Sequence, residues 1–188
     1  MERIARYILI AVFLIAAVAC SFSLPRRDLR ATGQVAGIAL DEKGGKLRAT
    51  FELYDPGVDQ PIGRSCEIVS SEGEDMEECI KNASRSTGKE LYLEDAAVLI
   101  INWDDAELLI NKMLDFYRTF KNEQMDLPVF FVKEQQAKDV FSSKGKILST
   151  QIAKSAELLK KRHTVRDFMN GEGTCVWLKG EGSYEIIS

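Results

Sequence analysis

The sequence is poor in the residues that most enzymes use for chemistry. It holds one histidine, His163, so any Ser-His-Asp arrangement would have to be built on that side chain. His163 follows Lys160-Lys161-Arg162, and neighbouring cations lower the basicity of an imidazole. It reads as a solvated surface residue. No serine stands in a Gly-x-Ser-x-Gly elbow. No Cys-x-x-Cys is present, and ligand spacing for zinc is missing with it. Gly171-Glu172-Gly173 and Gly180-Glu181-Gly182 are followed by no Lys-Ser/Thr pair, so they read as turns and not as phosphate loops. Basic residues are outnumbered by acidic ones, 25 against 29, for a net charge of −4. That balance argues against a nucleic-acid binder, which needs a basic face to neutralise phosphates. Internal repeats, low-complexity tracts and long linkers are also missing. The expectation is a protein that is not an enzyme and holds no metal or cofactor.

Acidic pairs do occur, at Glu94-Asp95 and Asp104-Asp105. Paired carboxylates can do acid–base work, but neighbours along a strand point to opposite faces. Solvation and helix capping account for both pairs.

What is present begins with a targeting pattern. Arg3 and Arg6 form a positive start, Tyr7 to Val18 an apolar run, and Ala16-Ala17-Val18-Ala19 a small-residue close ahead of Cys20. This layout predicts a signal peptide over 1–19. Ala17-Val18-Ala19-Cys20 resembles a bacterial lipobox with Ala17 where Leu is usual. Cys20 is therefore the expected lipidation site and mature N-terminus, carrying diacylglycerol. Residues 20–30 are then the lipidated cysteine and a short tether, in which Arg26, Arg27 and Arg30 read equally as a solvated basic run or as contacts for acidic headgroups or Asp28. Two acyl chains anchor stably where one holds marginally, at about 0.8 kcal/mol per buried CH₂. Ordinary signal cleavage and an uncleaved anchor helix are the alternatives.

Residues 31–188 have room for one domain with a sizeable core. Its organising stretch is Ala96 to Asn102, an unbroken apolar run that suits a strand covered on both faces. Asn102 or Asp104 can cap the following helix, whose Ala106, Leu109, Ile110, Met113, Leu114, Phe116, Tyr117 and Phe120 form one apolar face. Leu127 to Val132 reads as a second buried strand, so the three pieces make a parallel crossover unit. Ahead of it, Gln34 to Asp41 alternates loosely and Lys46 to Tyr54 follows a Lys43-Gly44-Gly45 turn, predicting a hairpin. Cys66 to Ser70 is a third strand. Ser71 and Glu74 fit a capping box for a helix from about Gly73 to Thr87, with Met76, Cys79, Ile80 and Ala83 inward and Gly88 as its stop. After the crossover, helices are predicted at Gln135 to Phe141, Ile147 to Arg162 and, capped by Thr164, Val165 to Met169. Gly173 to Leu178 and Ser183 to Ile187 close the chain as short strands. The fold class is α+β: a mixed sheet with packed helices, in a single domain after a lipoprotein signal peptide. Cys66, Cys79 and Cys175 read as buried thiols, with a Cys66–Cys79 disulfide as the alternative. Trp103, Trp177, Tyr54 and Tyr92 read as core before interface.

The order of these pieces resembles the N-terminal domain of the Ger(x)C family. The carrying residues are Arg26-Arg27-Asp28-Leu29 after the lipobox cysteine, Gly37-Ile38-Ala39-Leu40-Asp41, the strand Lys46 to Pro56, and the strand–helix unit Cys66 to Thr87. Lys89-Glu90-Leu91-Tyr92 and Ala137-Lys138-Asp139 complete the series. The resemblance runs over about residues 20–170. Glu94-Asp95 stands where the family usually has Gly-His, and the family carries further domains, so this sequence reads as a one-domain relative. The resemblance implies a lipoprotein C subunit of a nutrient germinant receptor, acting in spore germination. Its implied partners are integral-membrane A and B subunits, and its implied place is the extracytoplasmic face of the cell membrane, or the spore inner membrane. The alternative is an envelope lipoprotein that binds a small ligand or envelope component, unrelated to germination.

Overall fold

The computed structural model describes residues 32–54, 66–119, 125–142, 148–159, 162–179 and 185–187. Its centre is β1 (Thr32–Lys43), which turns through Gly44 and Gly45 into β2 (Lys46–Tyr54). Both glycines have positive φ, +61° and +83°, the backbone that a tight hairpin demands and that side chains resist. The strands β3 (Cys66–Gly73), β4 (Glu90–Tyr92), β5 (Leu99–Asn102), β6 (Pro128–Val132), β7 (His163–Thr164), β8 (Trp177–Lys179) and β9 (Glu185–Ile187) complete a nine-stranded sheet among the described residues. Its order is β3-β2-β1-β5-β6-β8-β9, with β4 paired to β1 and β7 to β6. The run β1-β5-β6-β8 is parallel, and the hairpins flanking it are antiparallel. The mixed α+β architecture stands.

Helices lie on both faces. On one, α1 (Met76–Thr87) and α2 (Ala106–Thr119) set Cys79, Ala83, Leu109 and Met113 against Ile38, Leu40, Phe51, Leu99 and Ile101. On the other, a 3₁₀ helix (Ala137–Ser142) and α3 (Leu148–Leu159) set Phe141, Leu148, Ile152 and Ala156 against Ala39, Val98, Ile100 and Phe130. A short α4 (Val165–Met169) packs on the first face. Two covered faces explain why Val98 to Ile101 shows no alternation: each side chain is buried, at roughly 1.5–3 kcal/mol apiece. β5, α2 and β6 form the expected parallel crossover.

The details differ in several places. The loose alternation of Gln34 to Asp41 becomes continuous burial from Val35 to Asp41, because β1 is central and flanked by helices on both sides. The expected Ser71–Glu74 capping box does not form. Ser71 instead pairs with Ala49 in the β2–β3 ladder, and the cap is Asp75, whose side chain accepts from the Glu78 N–H at 2.8 Å. The Gln135 to Phe141 helix is the 3₁₀ turn, begun two residues later. The penultimate strand begins at Trp177, not Gly173. The Cys20 region and the 55–65 loop lie outside the described residues.

Candidate functional site

The parallel strands β1, β5 and β6 end on one edge of the sheet, the edge where open parallel sheets bind their ligands. Asp41, near the end of β1, is 1% exposed and is the hub of that edge. Its Oδ1 accepts from Asn102 Nδ2 at 3.2 Å and from the Ala137 N–H at 2.7 Å, and its Oδ2 accepts from the Lys138 N–H at 3.0 Å. The carboxylate thus satisfies donors that the 3₁₀ helix would otherwise leave unpaired. Glu52 does the same for α3: Oε1 accepts from the Leu148 N–H at 3.0 Å, and Oε2 accepts from the Ser149 N–H at 3.1 Å and from the Ser149 hydroxyl. Burial raises the Glu52 carboxyl above its ordinary range, against these hydrogen bonds. Gly37 faces Glu52 in register, and a Cβ there would lie 2.6 Å from Ser149 Cβ and 2.9 Å from the Phe141 ring. Gly37 and Asp41 therefore let the second helical layer lie directly on β1. They also join two stretches, Gly37 to Asp41 and Ala137-Lys138, that are distant in sequence.

Beside Asp41, Arg48 Nη2 lies 3.2 Å from Glu72, and its Nη1 donates to Gln136 at 3.3 Å. Lys43 holds the same carboxylate at 2.7 Å and keeps the Glu72 carboxyl below its usual range, with help from Arg48.

Just past β5, a shallow cleft of about 620 Å³ opens at the start of α2, lined by Trp103, Asp104, Asp105, Glu107, Leu108 and Asn111. Asn102 links it to Asp41, since its Oδ1 accepts from the Asp104 N–H at 3.1 Å. The Trp103 indole is half-buried and meets Trp177 and Phe131 edge-on, with centroids at 4.6 and 5.6 Å. The Asp105 carboxyl is raised above its usual range by burial first, then by the negative charges of Glu42, Asp104 and Asp41.

The other sequence candidates do not converge on this edge. His163 is half-buried rather than fully solvated, because it pairs with Val129 in β7. Its Nε2 lies 2.7 Å from Thr174 Oγ1, and its Nδ1 lies 4.0 Å from Asp167 Oδ2. That aspartate oxygen is committed to Thr164, taking its N–H at 2.7 Å and its hydroxyl at 3.0 Å in the cap of α4, so it does not orient the imidazole. Cys66, Cys79 and Cys175 remain thiols, but only Cys79 is fully buried, donating to Leu47 O at 3.4 Å, its thiol pKa pushed up to about 11 by burial. Glu94 and Asp95 sit exposed on a turn. Trp103 and Trp177 are part of an aromatic cluster, Tyr54 reaches Thr150 at 3.1 Å, and Tyr92 is half-buried. Cys20 and the tether arginines lie outside the described residues. Sequence reasoning missed Glu52 and Arg48; a charged residue at an alternating strand position carries no local sign that a distant helix will cover it. Among the described residues, no helix is long and apolar enough to cross a membrane.

A family model described as the spore germination protein N-terminal domain matches residues 25–170, which takes in every described element from β1 to α4. No curated protein and no solved structure matches the chain.

Proposed function

The chain belongs to the spore germination protein N-terminal domain family, and from that premise we propose that it is the lipid-anchored C-type subunit of a nutrient germinant receptor. A germination-related role follows from the family itself. In the finer reading, Cys20 carries the lipid, residues 21–30 tether the domain to the extracytoplasmic face of the membrane, and the domain acts by docking onto integral-membrane A and B subunits. Catalysis has no part in it. The observation that carries this reading is the continuous family match over 25–170, which includes Gly37, Asp41, Ala137 and Lys138, the residues that lock the second helical layer to β1. The lipobox-like Ala17-Val18-Ala19-Cys20 supports the anchor. The alternative, an envelope lipoprotein that encloses a small ligand, calls for a deep pocket; the cleft at α2 is open.

The test is Cys20→Ala in the organism that makes the protein. The variant is expected to leave the membrane fraction and to slow nutrient-triggered germination, while mass spectrometry of the parent finds a diacylglyceryl cysteine at its N-terminus. A parent with an unmodified N-terminus elsewhere, or a parent freely released to the medium, would overturn the anchor.

A further inference from the structure

We propose that Glu52 is a proton-operated latch on α3: with the proton on, the helix lies closed on β1 and β2, and as the proton is lost the helix lifts from the sheet ahead of the rest of the fold. Glu52 has no exposed surface, and among the described residues no ion pair reaches it. Its side-chain bonds run to one place, the Leu148 and Ser149 N–H groups and the Ser149 hydroxyl at the start of α3. A carboxylate so placed gains hydrogen bonds on ionising but loses its water with no cation to replace it. The ionised form is therefore costly while α3 covers it. The neighbouring elements present nothing charged: β1 offers Gly37, beside Phe141 of the 3₁₀ helix, and β3 offers Ile68. Along β2, Arg48 is taken by Glu72 and Gln136, and Tyr54, with Cys66 across from it, meets Thr150 of α3. The raised Glu52 carboxyl agrees with this geometry, burial outweighing the hydrogen bonds.

The element that responds is α3, because its hold on the sheet is narrow. It buries one stripe, Leu148, Ser149, Ile152 and Ala156, and leaves Gln151, Lys154, Ser155, Glu157 and Leu158 exposed. An element with few buried apolar side chains opens at a smaller cost than the whole fold. The 3₁₀ helix has a separate hold, the Asp41 carboxylate on the Ala137 and Lys138 N–H groups, and stays when α3 lifts. Lifting returns Glu52 to water, where its ordinary value of 4.5 applies, and bares β1 at Gly37, which Ser149 covers. The closed form holds the proton more tightly than the open one. Closure is therefore favoured in full below the ordinary value, loses ground as pH rises through the raised one, and then levels off. Exposure of the β1 surface at Gly37 thereby comes under proton control, independently of what the protein docks to.

Hydrogen exchange of the full-length, detergent-solubilised protein tests this, read by mass spectrometry from about pH 4 to about pH 8 and corrected for intrinsic rates. The amides of α3 are expected to lose protection as pH rises, by about tenfold for each unit by which the folded Glu52 value exceeds 4.5, while those of α1 and α2 keep theirs. Glu52→Gln keeps the shape without the charge and should make the protection of α3 independent of pH. Ser149→Ala removes a hydrogen bond that favours the ionised form, so it should enlarge the loss on raising pH, and it serves as the test if Glu52→Gln folds poorly. Protection of α3 that does not vary with pH in the parent, or the same variation in a folded Glu52→Gln, would overturn the proposal. So would an equal loss in α1 and α2, which would make the effect one of global unfolding, or a Ser149→Ala profile no steeper than the parent's.

Discussion

Gly37 and Glu52 are the residues on which the second helical layer depends. Gly37→Ala drives a methyl into Ser149 and Phe141, and the neighbours are a helix start and a buried ring with little room to move. A loss of about 1–3 kcal/mol is expected from such overpacking, read as a lower urea midpoint. Glu52 gives a pH signature. Its folded pKa is raised above the ordinary 4.5, so the folded protein takes up the proton more readily than the unfolded chain. The contribution of this group is complete below the ordinary value and is lost as pH rises through the raised one. Urea unfolding at a series of pH values from neutral downward should show this component, and Glu52→Gln should flatten it; an unchanged pH profile in the variant would contradict the assignment. Neither role is fully legible in the sequence. Glu52 stands between Phe51 and Leu53 and reads there as a solvent-facing residue, and its partners come from 96 and 97 residues further on. Asp41 is legible only as the last residue of Gly37-Ile38-Ala39-Leu40-Asp41, which carries the family resemblance.

At the scale of elements, the crossover β5–α2–β6 was the most legible piece, because an unbroken apolar run and a helical stripe are each signals that local residues carry alone. Ile101 has no exposed surface and faces α2's side of the sheet. Ile101→Asp leaves a charge there without a partner and should cost at least about 3 kcal/mol; a urea midpoint equal to the parent's would show the strand to be uncovered. Helix starts were less legible. Ser71 has the residue type of a cap, yet the β2–β3 ladder takes it, and its hydroxyl donates instead to Cys79 O at 2.7 Å. Asp75 takes the cap: its backbone is extended just ahead of α1, at φ −143° and ψ 178°, and its short carboxylate reaches the Glu78 N–H. β4 gave no signal beyond Leu91 and Tyr92, since a three-residue strand is shorter than any period.

For the whole molecule, chain order on the sheet assigns the two ends different tasks. The described chain enters at Thr32, the start of β1, and the Asp41 hub and the acidic cleft lie at the far end of the same parallel strands. On the proposed reading, a lipid at Cys20 would hold the domain by the β1-start end and raise its effective concentration near a membrane partner. His163 is occupied by Thr174 and lies apart from that end, so His163→Ala should leave germination intact while the protein still folds and reaches the membrane; abolished germination in that variant would argue for chemistry. The measurement that bears most directly on the account is affinity capture of the tagged full-length protein from detergent-solubilised membranes of the organism that makes it. The account predicts that a polytopic membrane protein co-purifies with it in fixed proportion, and recovery of soluble proteins alone would contradict it.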